Sequence, residues 1–152
     1  MKEKLCFEMV PESCWRANLR SALAPEDWDK VRKTAYAANG HRCYFCGAQG
    51  RLEAHERWSY DENNAVQKLE GVVALCSRCH EVVHIGRTYA VGRGDEAMEQ
   101  FMRVNGCTQS EYHEALGKAN EEYLRRNKIE NWSIDLTWLK ERGITPLVKI
   151  FY

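Results

Sequence analysis

The chain has 152 residues, 44% of them hydrophobic, and its 22 lysines and arginines equal its 22 aspartates and glutamates. This composition predicts a globular protein rather than a disordered one, and the balanced charge argues against a protein that coats nucleic acid in bulk. No apolar run approaches the roughly 18 residues that a membrane span needs. Since the first residues also lack the apolar stretch of a signal peptide, we expect a cytoplasmic protein without a membrane partner.

The first forty residues contain one weak strand pattern and one helix pattern. Residues 5–10 alternate weakly between apolar and polar side chains, which predicts a short strand. Residues 24–40 predict a helix, because a proline and two acidic residues suit its first turn and Gly40 suits its end. The residues at helical spacing that would face a core are Trp28, Val31, Ala35 and Ala38.

The next stretch predicts a hairpin followed by a helix. Residues 41–50 predict a tight knuckle, since two glycines let the backbone turn so that Cys43 and Cys46 point at one ion. In chain order, the further predicted elements are a strand at 51–58, a loop at 59–64, a second strand at 66–76 and a short helix at 77–86 that ends near Gly86.

From residue 95 onwards the pattern becomes mainly helical. Residues 95–106 and 108–128 predict two helices, and a hydroxyl side chain at Thr108 or Ser110 can cap the second. Residues 130–143 fit either a strand or a short helix, because periodicity does not distinguish the two over so short a span. The last eight residues predict a strand.

These patterns together predict an α+β fold whose small core carries helices at both ends. We divide the chain into an N-terminal strand and helix that pack on the core (1–40), a central module (41–90) and a mainly helical C-terminal extension (91–152). The softest boundary lies at 86–94, where three glycines and two arginines cluster.

Four of the seven cysteines fall into two C-x2-C pairs, namely Cys43, Cys46, Cys76 and Cys79. In a cytosolic chain such pairs indicate metal binding before disulfides, and zinc is the default ion for four sulfurs. A closed four-sulfur site leaves no open coordination position, so we expect a structural zinc. The alternative is two buried or redox-active dithiols. The remaining cysteines are interpreted as small buried hydrophobic residues: Cys6, Cys14 and Cys107.

Three histidines predict a second metal centre. His80 and His84 are four residues apart and share one helix face, while His55 lies on the strand that packs against this helix. Imidazoles with open coordination positions suit a catalytic divalent ion, here Mg2+, Mn2+, Ni2+ or Zn2+. Alternatively, each histidine only makes hydrogen bonds beside the zinc. We expect His41 and His113 to be surface residues.

Three segments in this order, "CYFCG", "LEAHE" and "ALCSRCHEVVH", resemble the HNH nuclease superfamily, the ββα-metal fold, in its zinc-bearing branch. The resemblance covers residues 43–85. It implies a structural zinc on the two cysteine pairs, His55 as a metal ligand on the strand, and His80 as a ligand on the helix. It also implies that His84 binds the metal or the scissile phosphate, and that the protein is an endonuclease that hydrolyses DNA phosphodiester bonds with one divalent ion.

Two positions depart from the family pattern. The general-base histidine of the family is replaced by Glu56, and the position of its central asparagine falls near Gly71. Three interpretations stay open: Glu56 acts as the base, a one-residue shift makes His55 the base, or catalysis is lost. In the last case the chain is a zinc-stapled binding or adaptor module for nucleic acid or a protein partner.

Basic and aromatic residues around these motifs can contact nucleic acid. Arg57, Trp58 and Tyr60 follow His55 and could bind phosphate or stack on bases, but a core position is the favoured interpretation of Trp58. A local basic patch is predicted from Arg42, Arg51, Arg78, Arg87 and Arg93.

Overall fold

A three-stranded sheet lies between helices in the structure, a computed structural model that describes residues 3–15 and 18–147. The strands are β1 (Glu53–Asp61), β2 (Val66–Leu75) and β3 (Ser133–Asp135). The helices are α1 (Leu19–Ala22), α2 (Pro25–Ala38), α3 (Ser77–Val83), α4 (Ile85–Ala90), α5 (Gly94–Asn105), α6 (Gln109–Asn127) and α7 (Thr137–Lys140), with a 3-10 turn at Glu12–Cys14. The predicted α+β class is therefore confirmed.

The sheet has the order β1-β2-β3, so β1 forms one edge. Strands β1 and β2 pair antiparallel from Glu53 opposite Leu75 to Asp61 opposite Val66, and β3 runs parallel to β2. A loop was predicted at 59–64. Residues 59–61 instead continue β1, because β2 satisfies their backbone hydrogen bonds. Only the residues after Asp61 form the turn.

Both faces of the sheet are covered by apolar side chains. One face carries the larger core, which contains Leu5, Val82 and Phe101 from the N-terminal segment, α3 and α5. The other face packs on α1, α2 and α7 through a smaller cluster that includes Leu19 and Val31. Because side chains alternate along a strand, consecutive residues of β1 point into different cores, and this places His55 and Glu56 on opposite faces.

Helix α2 forms where its proline and acidic first turn predicted it. Val31 and Ala35 are buried and Trp28 is half-buried against the smaller core. Ala38 is exposed, so its predicted core position is wrong, because it lies in the last turn and the buried face ends at Ala35. Helix α6 begins with a capping box, in which Thr108 is the N-cap rather than Ser110.

The helix predicted at 77–86 is in fact two helices. Helix α3 ends at Val83, its C-cap His84 has a φ of −96° and a ψ of 53° that are not helical, and α4 runs from Ile85 through Gly86 to Ala90. The Thr88 hydroxyl donates to the carbonyl oxygens of Glu81 and His84 at 2.6 and 3.1 Å. The hydroxyl thus gives the Glu81 carbonyl a donor beside the break, while the His84 carbonyl also accepts the Thr88 N–H at 3.1 Å.

The N-terminal segment crosses the larger core without forming the predicted strand at 5–10. The side chain of Asn105 exchanges two hydrogen bonds with the Leu5 backbone, at 2.9 and 2.8 Å, and the Glu8 N–H donates to the Val83 carbonyl at 2.9 Å. The backbone groups that a strand would pair with a neighbour are therefore bound to helices α5 and α3 instead.

The C-terminal part contains both elements that the sequence left open. The segment 130–143 holds the short strand β3 followed by helix α7. Of the strand predicted over the last eight residues, 145–147 are not in a strand, and 148–152 lie outside the described residues. The division into three segments stays a prediction. Within the described residues, no helix is long and apolar enough to cross a membrane.

Candidate metal centres

Four cysteines meet beside the larger core and form the cysteine cluster. Cys43 and Cys46 lie in a knuckle before β1, closed by hydrogen bonds from Cys43 N–H to the Ala48 carbonyl and from Gly47 N–H to the Cys43 carbonyl, both 2.9 Å. Gly47 has a φ of 76°, which favours glycine. Cys76 is the N-cap of α3 and Cys79 lies in its first turn. The knuckle and the helix start thus bring the two pairs together.

The spacing of the sulfurs fits one zinc ion. The four Sγ atoms lie within 4.8 Å of one another, and those of Cys46 and Cys76 are 3.6 Å apart. A disulfide needs a separation of about 2.05 Å, whereas a tetrahedron with zinc–sulfur bonds of about 2.3 Å puts its sulfurs about 3.8 Å apart. The separation excludes a disulfide between Cys46 and Cys76, and the geometry is consistent with a zinc-stapled core.

The pKa values of thiols in the cysteine cluster also favour a bound cation. Hydrogen bonds from Cys76 and Cys79 lower the pKa of the Cys43 thiol. The thiolate of Cys43 in turn raises the pKa of Cys76 to about 11 and raises the pKa of Cys79. A thiolate at Cys43 thus disfavours ionisation of Cys76 and Cys79, and a bound divalent cation would offset this repulsion.

A glutamine from α5 completes the surroundings of the sulfurs. The buried Gln100 side chain donates from Nε2 to Cys79 Sγ at 3.3 Å, and its Oε1 accepts from Arg103 at 2.8 Å. Hydrogen bonds to ligand atoms orient them and stabilise their ionised form.

We predict that Gln100→Leu, which removes this donor, weakens zinc binding by about 10-fold or more, in the range of other outer-shell changes. Zinc release to a coloured chelator would measure the effect, with the exposed Gln109→Leu as the matched control. Equal release rates in both variants would show that the hydrogen bond does not contribute.

The three other cysteines are not equally buried. Cys14 is buried, as predicted. Cys107 is half-buried and Cys6 is exposed, so the prediction that all three are buried is wrong for these two. Cys6 lies on the extended N-terminal segment, where successive side chains point alternately inward and outward, and its neighbour Leu5 takes the inward position.

His55, His80 and His84 converge and form the histidine cluster. The pairwise distances between their ring centroids are 5.2, 5.0 and 4.8 Å, and one ring nitrogen of each lies within 4.8 Å of the others. His55 comes from β1, His80 from α3, and His84 from the break between α3 and α4. His41 and His113 are exposed, as predicted.

The chemistry of the histidine cluster suits a divalent ion. Burial, followed by the charges of His55, His80 and Arg87, lowers the pKa of His84 to about 3, so this imidazole is neutral at neutral pH. Neutral imidazole is the form that binds metals. Carboxylates contact the other two rings: Glu8 contacts His55 Nε2, and Glu53 Oε1 lies 2.8 Å from His80 Nδ1. The histidine cluster thus offers three candidate nitrogen ligands, and carboxylates contact the rings of two of them, His55 and His80.

A cleft of about 800 Å³ opens beside the histidine cluster. Helix α2 forms one wall, helices α3 and α4 form the other, and the first residues of β1 lie between them. This arginine cleft is lined by the charged side chains of Arg20, Asp29, Arg32, Arg51, Glu53, Glu56, Glu81, Arg87 and Arg93, together with His80 and His84. His55, which is 3% exposed, lies behind this lining.

Several charges in the arginine cleft are already paired. Arg32 pairs with Asp29 at 2.7 Å, and Arg93 pairs with Glu81. Among the described residues, no carboxylate lies within ion-pair distance of Arg20, Arg51 or Arg87. The cleft therefore presents three cationic side chains that remain available to an anion.

Only part of the predicted basic patch lines this cleft. Arg51, Arg87 and Arg93 belong to it, whereas Arg42 and Arg78 do not. Arg42 instead donates to the Gly47 carbonyl at 3.2 Å. The structure also adds Arg20 and Arg32 from α1 and α2, which sequence spacing alone did not connect with the metal motifs.

The residues that follow His55 have structural contacts. Arg57 donates to Glu3 at 2.7 Å, and Trp58 packs against the smaller core, as the favoured interpretation expected. Tyr60 lies edge-on to Trp132 with ring centroids 5.5 Å apart and carries the Arg126 guanidinium over its ring. None of the three lines the arginine cleft, so they offer no surface there for stacking on bases.

Glu56 lines the arginine cleft and also caps a helix. Its Oε1 accepts a hydrogen bond from the Leu19 N–H at 3.0 Å, at the start of α1. Within the described residues, Oε2 has no hydrogen-bond partner. One oxygen of this carboxylate is therefore occupied by the fold, and the other is free to accept a proton.

Three residues that contact the two clusters were not predicted from the sequence: Glu8, Glu53 and Gln100. Glu53 could have been found, because it lies two residues before His55 and so shares its face of the strand. Glu8 and Gln100 are far from their partners in sequence and carried no such signal.

The cysteine cluster and the histidine cluster are compatible with a zinc-binding ββα fold. Comparisons with protein-family models, with curated proteins and with solved structures found no match.

Proposed function

We propose that the chain is a metal-dependent endonuclease that hydrolyses DNA phosphodiester bonds with an HNH-like site. The observation that carries the proposal is the convergence of His55, His80 and His84 beside a cleft whose Arg20, Arg51 and Arg87 have no ion-pair partner in the described part of the chain. A closed four-sulfur site cannot act on a substrate, so the chemistry belongs to the histidine cluster.

His55 would hold the divalent ion from the buried side, and His80 and His84 would hold it from the cleft wall. When bound, the ion would supply stabilisation of the negative charge that develops on the phosphate and the leaving oxygen. Three protein ligands leave coordination positions open, as a catalytic site requires.

The cationic side chains bind the phosphate backbone. Arg20, Arg51 and Arg87 lie around the arginine cleft without carboxylate partners among residues 3–15 and 18–147, and guanidinium groups bind phosphate oxygens through paired hydrogen bonds. Local charge of this kind explains how a chain with no net charge could still bind DNA.

Glu56 is the base that takes a proton from the attacking water. It lines the arginine cleft with His80 and His84, and its Oε2 is free. His55 is the poorer candidate, because it is buried and its Nε2 is engaged by Glu8. A base must reach the water whose proton it accepts.

The test is plasmid nicking by the zinc-loaded protein in Mg2+, Mn2+ or Ni2+. We expect cleavage in at least one of these ions. We expect Glu56→Gln to cleave DNA more slowly by a factor of about 100 or more and to bind Mn2+ with unchanged affinity. The exposed Glu70→Gln is the matched control. Absence of cleavage in every ion by folded, zinc-loaded protein would refute the endonuclease proposal, and full activity of Glu56→Gln would refute its role as base.

A second candidate, a binding or adaptor module without catalysis, is favoured by the capping contact of Glu56. If accepting the Leu19 N–H is the only role of the Glu56 carboxylate, then the residue at the position of the family's general base has only a structural role in this chain. This candidate predicts DNA binding that weakens in Arg51→Ala and Arg87→Ala, without cleavage in any metal.

A further inference from the structure

A carboxylate from outside the metal motifs holds the most buried histidine of the histidine cluster. Glu8 contacts His55 Nε2 across 47 positions of sequence, and its other oxygen accepts from the Trp58 N–H at 3.3 Å. Its own backbone N–H donates to the Val83 carbonyl at 2.9 Å. Strand β1 thus holds the Glu8 carboxylate, and α3 holds the Glu8 backbone.

A second carboxylate holds His80 in the same way. Glu53 Oε1 lies 2.8 Å from His80 Nδ1, and Glu53 is on the same strand face as His55. The two contacts differ in the nitrogen that they engage, which is Nε2 in His55 and Nδ1 in His80.

We propose that Glu8 and Glu53 are positioning residues for the divalent ion, because each fixes the tautomer of one ligand histidine. The inference rests on the proposed function, since it concerns the same ion. Neither carboxylate belongs to the metal-ligand set, and each acts through the imidazole that it contacts.

The hydrogen bonds determine which nitrogen can bind the ion. A neutral imidazole has one N–H donor and one nitrogen with a free lone pair. A carboxylate accepts the N–H, so Glu8 leaves the lone pair of His55 on Nδ1, and Glu53 leaves that of His80 on Nε2. Without these contacts each ring would exchange between tautomers, and only one tautomer of each would suit the ion.

The two carboxylates also balance charge. Three neutral imidazoles offer no charge against a divalent ion, whereas Glu8 and Glu53 together supply two negative charges directly behind two of the ligands. A carboxylate that accepts the imidazole N–H makes the other nitrogen a stronger ligand. The buried position of His55, at 3% exposure, keeps water from replacing Glu8 in this role.

The experiment is titration of Mn2+ into the zinc-loaded full chain by calorimetry. We expect Glu8→Gln and Glu53→Gln to bind Mn2+ about 10-fold more weakly and Glu8→Ala up to about 100-fold more weakly. Glu12→Gln, an exposed change on the same N-terminal segment, is the matched control and is expected to bind as the unchanged protein does. Affinities within twofold of the unchanged protein in all three test variants would overturn the proposal.

A tautomer measurement separates positioning from a merely structural contact. Nitrogen-15 spectra of the zinc-loaded protein before Mn2+ addition are expected to show His55 protonated on Nε2, and a mixture of tautomers in Glu8→Ala. An unchanged tautomer in Glu8→Ala would overturn the role of Glu8. Should Glu8→Ala fail to fold, Glu53→Gln and the corresponding signal of His80 provide the same test.

His84→Ala distinguishes this inference from the proposed function. If His84→Ala binds Mn2+ as tightly as the unchanged protein, the ion is not at the histidine cluster and both proposals fail. If His84→Ala loses binding while the glutamate variants keep it, only the positioning proposal fails.

Discussion

Replacing Cys79 with serine is expected to abolish cooperative folding of the larger core. Cys79 is fully buried, and the cysteine cluster joins the knuckle before β1 to the start of α3. Structural zinc supplies an apparent free energy of about 10–16 kcal/mol, whereas a domain of this size is stable by only about 5–15 kcal/mol. Loss of one ligand therefore removes a contribution comparable to the whole free energy of unfolding.

Circular dichroism melting and zinc content would measure this outcome. We expect Cys79→Ser to contain less than one zinc per chain and to lose its cooperative transition, and chelation of the unchanged protein to give the same result. Cys6→Ser is the matched control, because Cys6 is exposed and lies outside the cysteine cluster. A zinc-free Cys79→Ser protein with an unchanged melting transition would show that zinc does not hold this core.

Replacing His80 with alanine is expected to remove cleavage while the fold remains intact. His80 is a residue of α3 whose side chain is 24% exposed and lines the arginine cleft outside both apolar cores, so we expect its truncation to leave those cores and the cysteine cluster intact. Loss of a metal ligand costs several kcal/mol of transition-state stabilisation, which corresponds to a rate about 10³-fold lower.

The readouts are plasmid nicking in Mn2+ and Mn2+ affinity, both on zinc-loaded protein. His113→Ala, which removes an exposed histidine on α6, should match the unchanged protein in both. If His80→Ala kept its Mn2+ affinity and its cleavage rate, the histidine cluster could not be the catalytic centre.

The two clusters were predictable because their signals are local. Two C-x2-C pairs indicate four candidate ligands whatever the surrounding fold. His80 and His84 are four residues apart, which brought them together even though α3 ends at Val83. Their convergence with His55 followed from packing a helix against an adjacent strand.

The features that escaped prediction depend on contacts between distant parts of the chain. Glu8 meets His55 across 47 positions, and Asn105 replaces a strand partner for Leu5 across 100 positions. Neither residue carries a local pattern for its role. The strand β3 and helix α7 have only three and four residues, which is too short for periodicity to distinguish them.

The most direct measurement is anomalous diffraction from crystals of the zinc-loaded protein soaked in Mn2+. We predict a zinc signal at the centre of the cysteine cluster and a separate manganese signal between His55, His80 and His84. A zinc signal at the cysteines, with no metal between the three imidazoles at saturating Mn2+, would contradict the claim that the histidine cluster is a working metal centre.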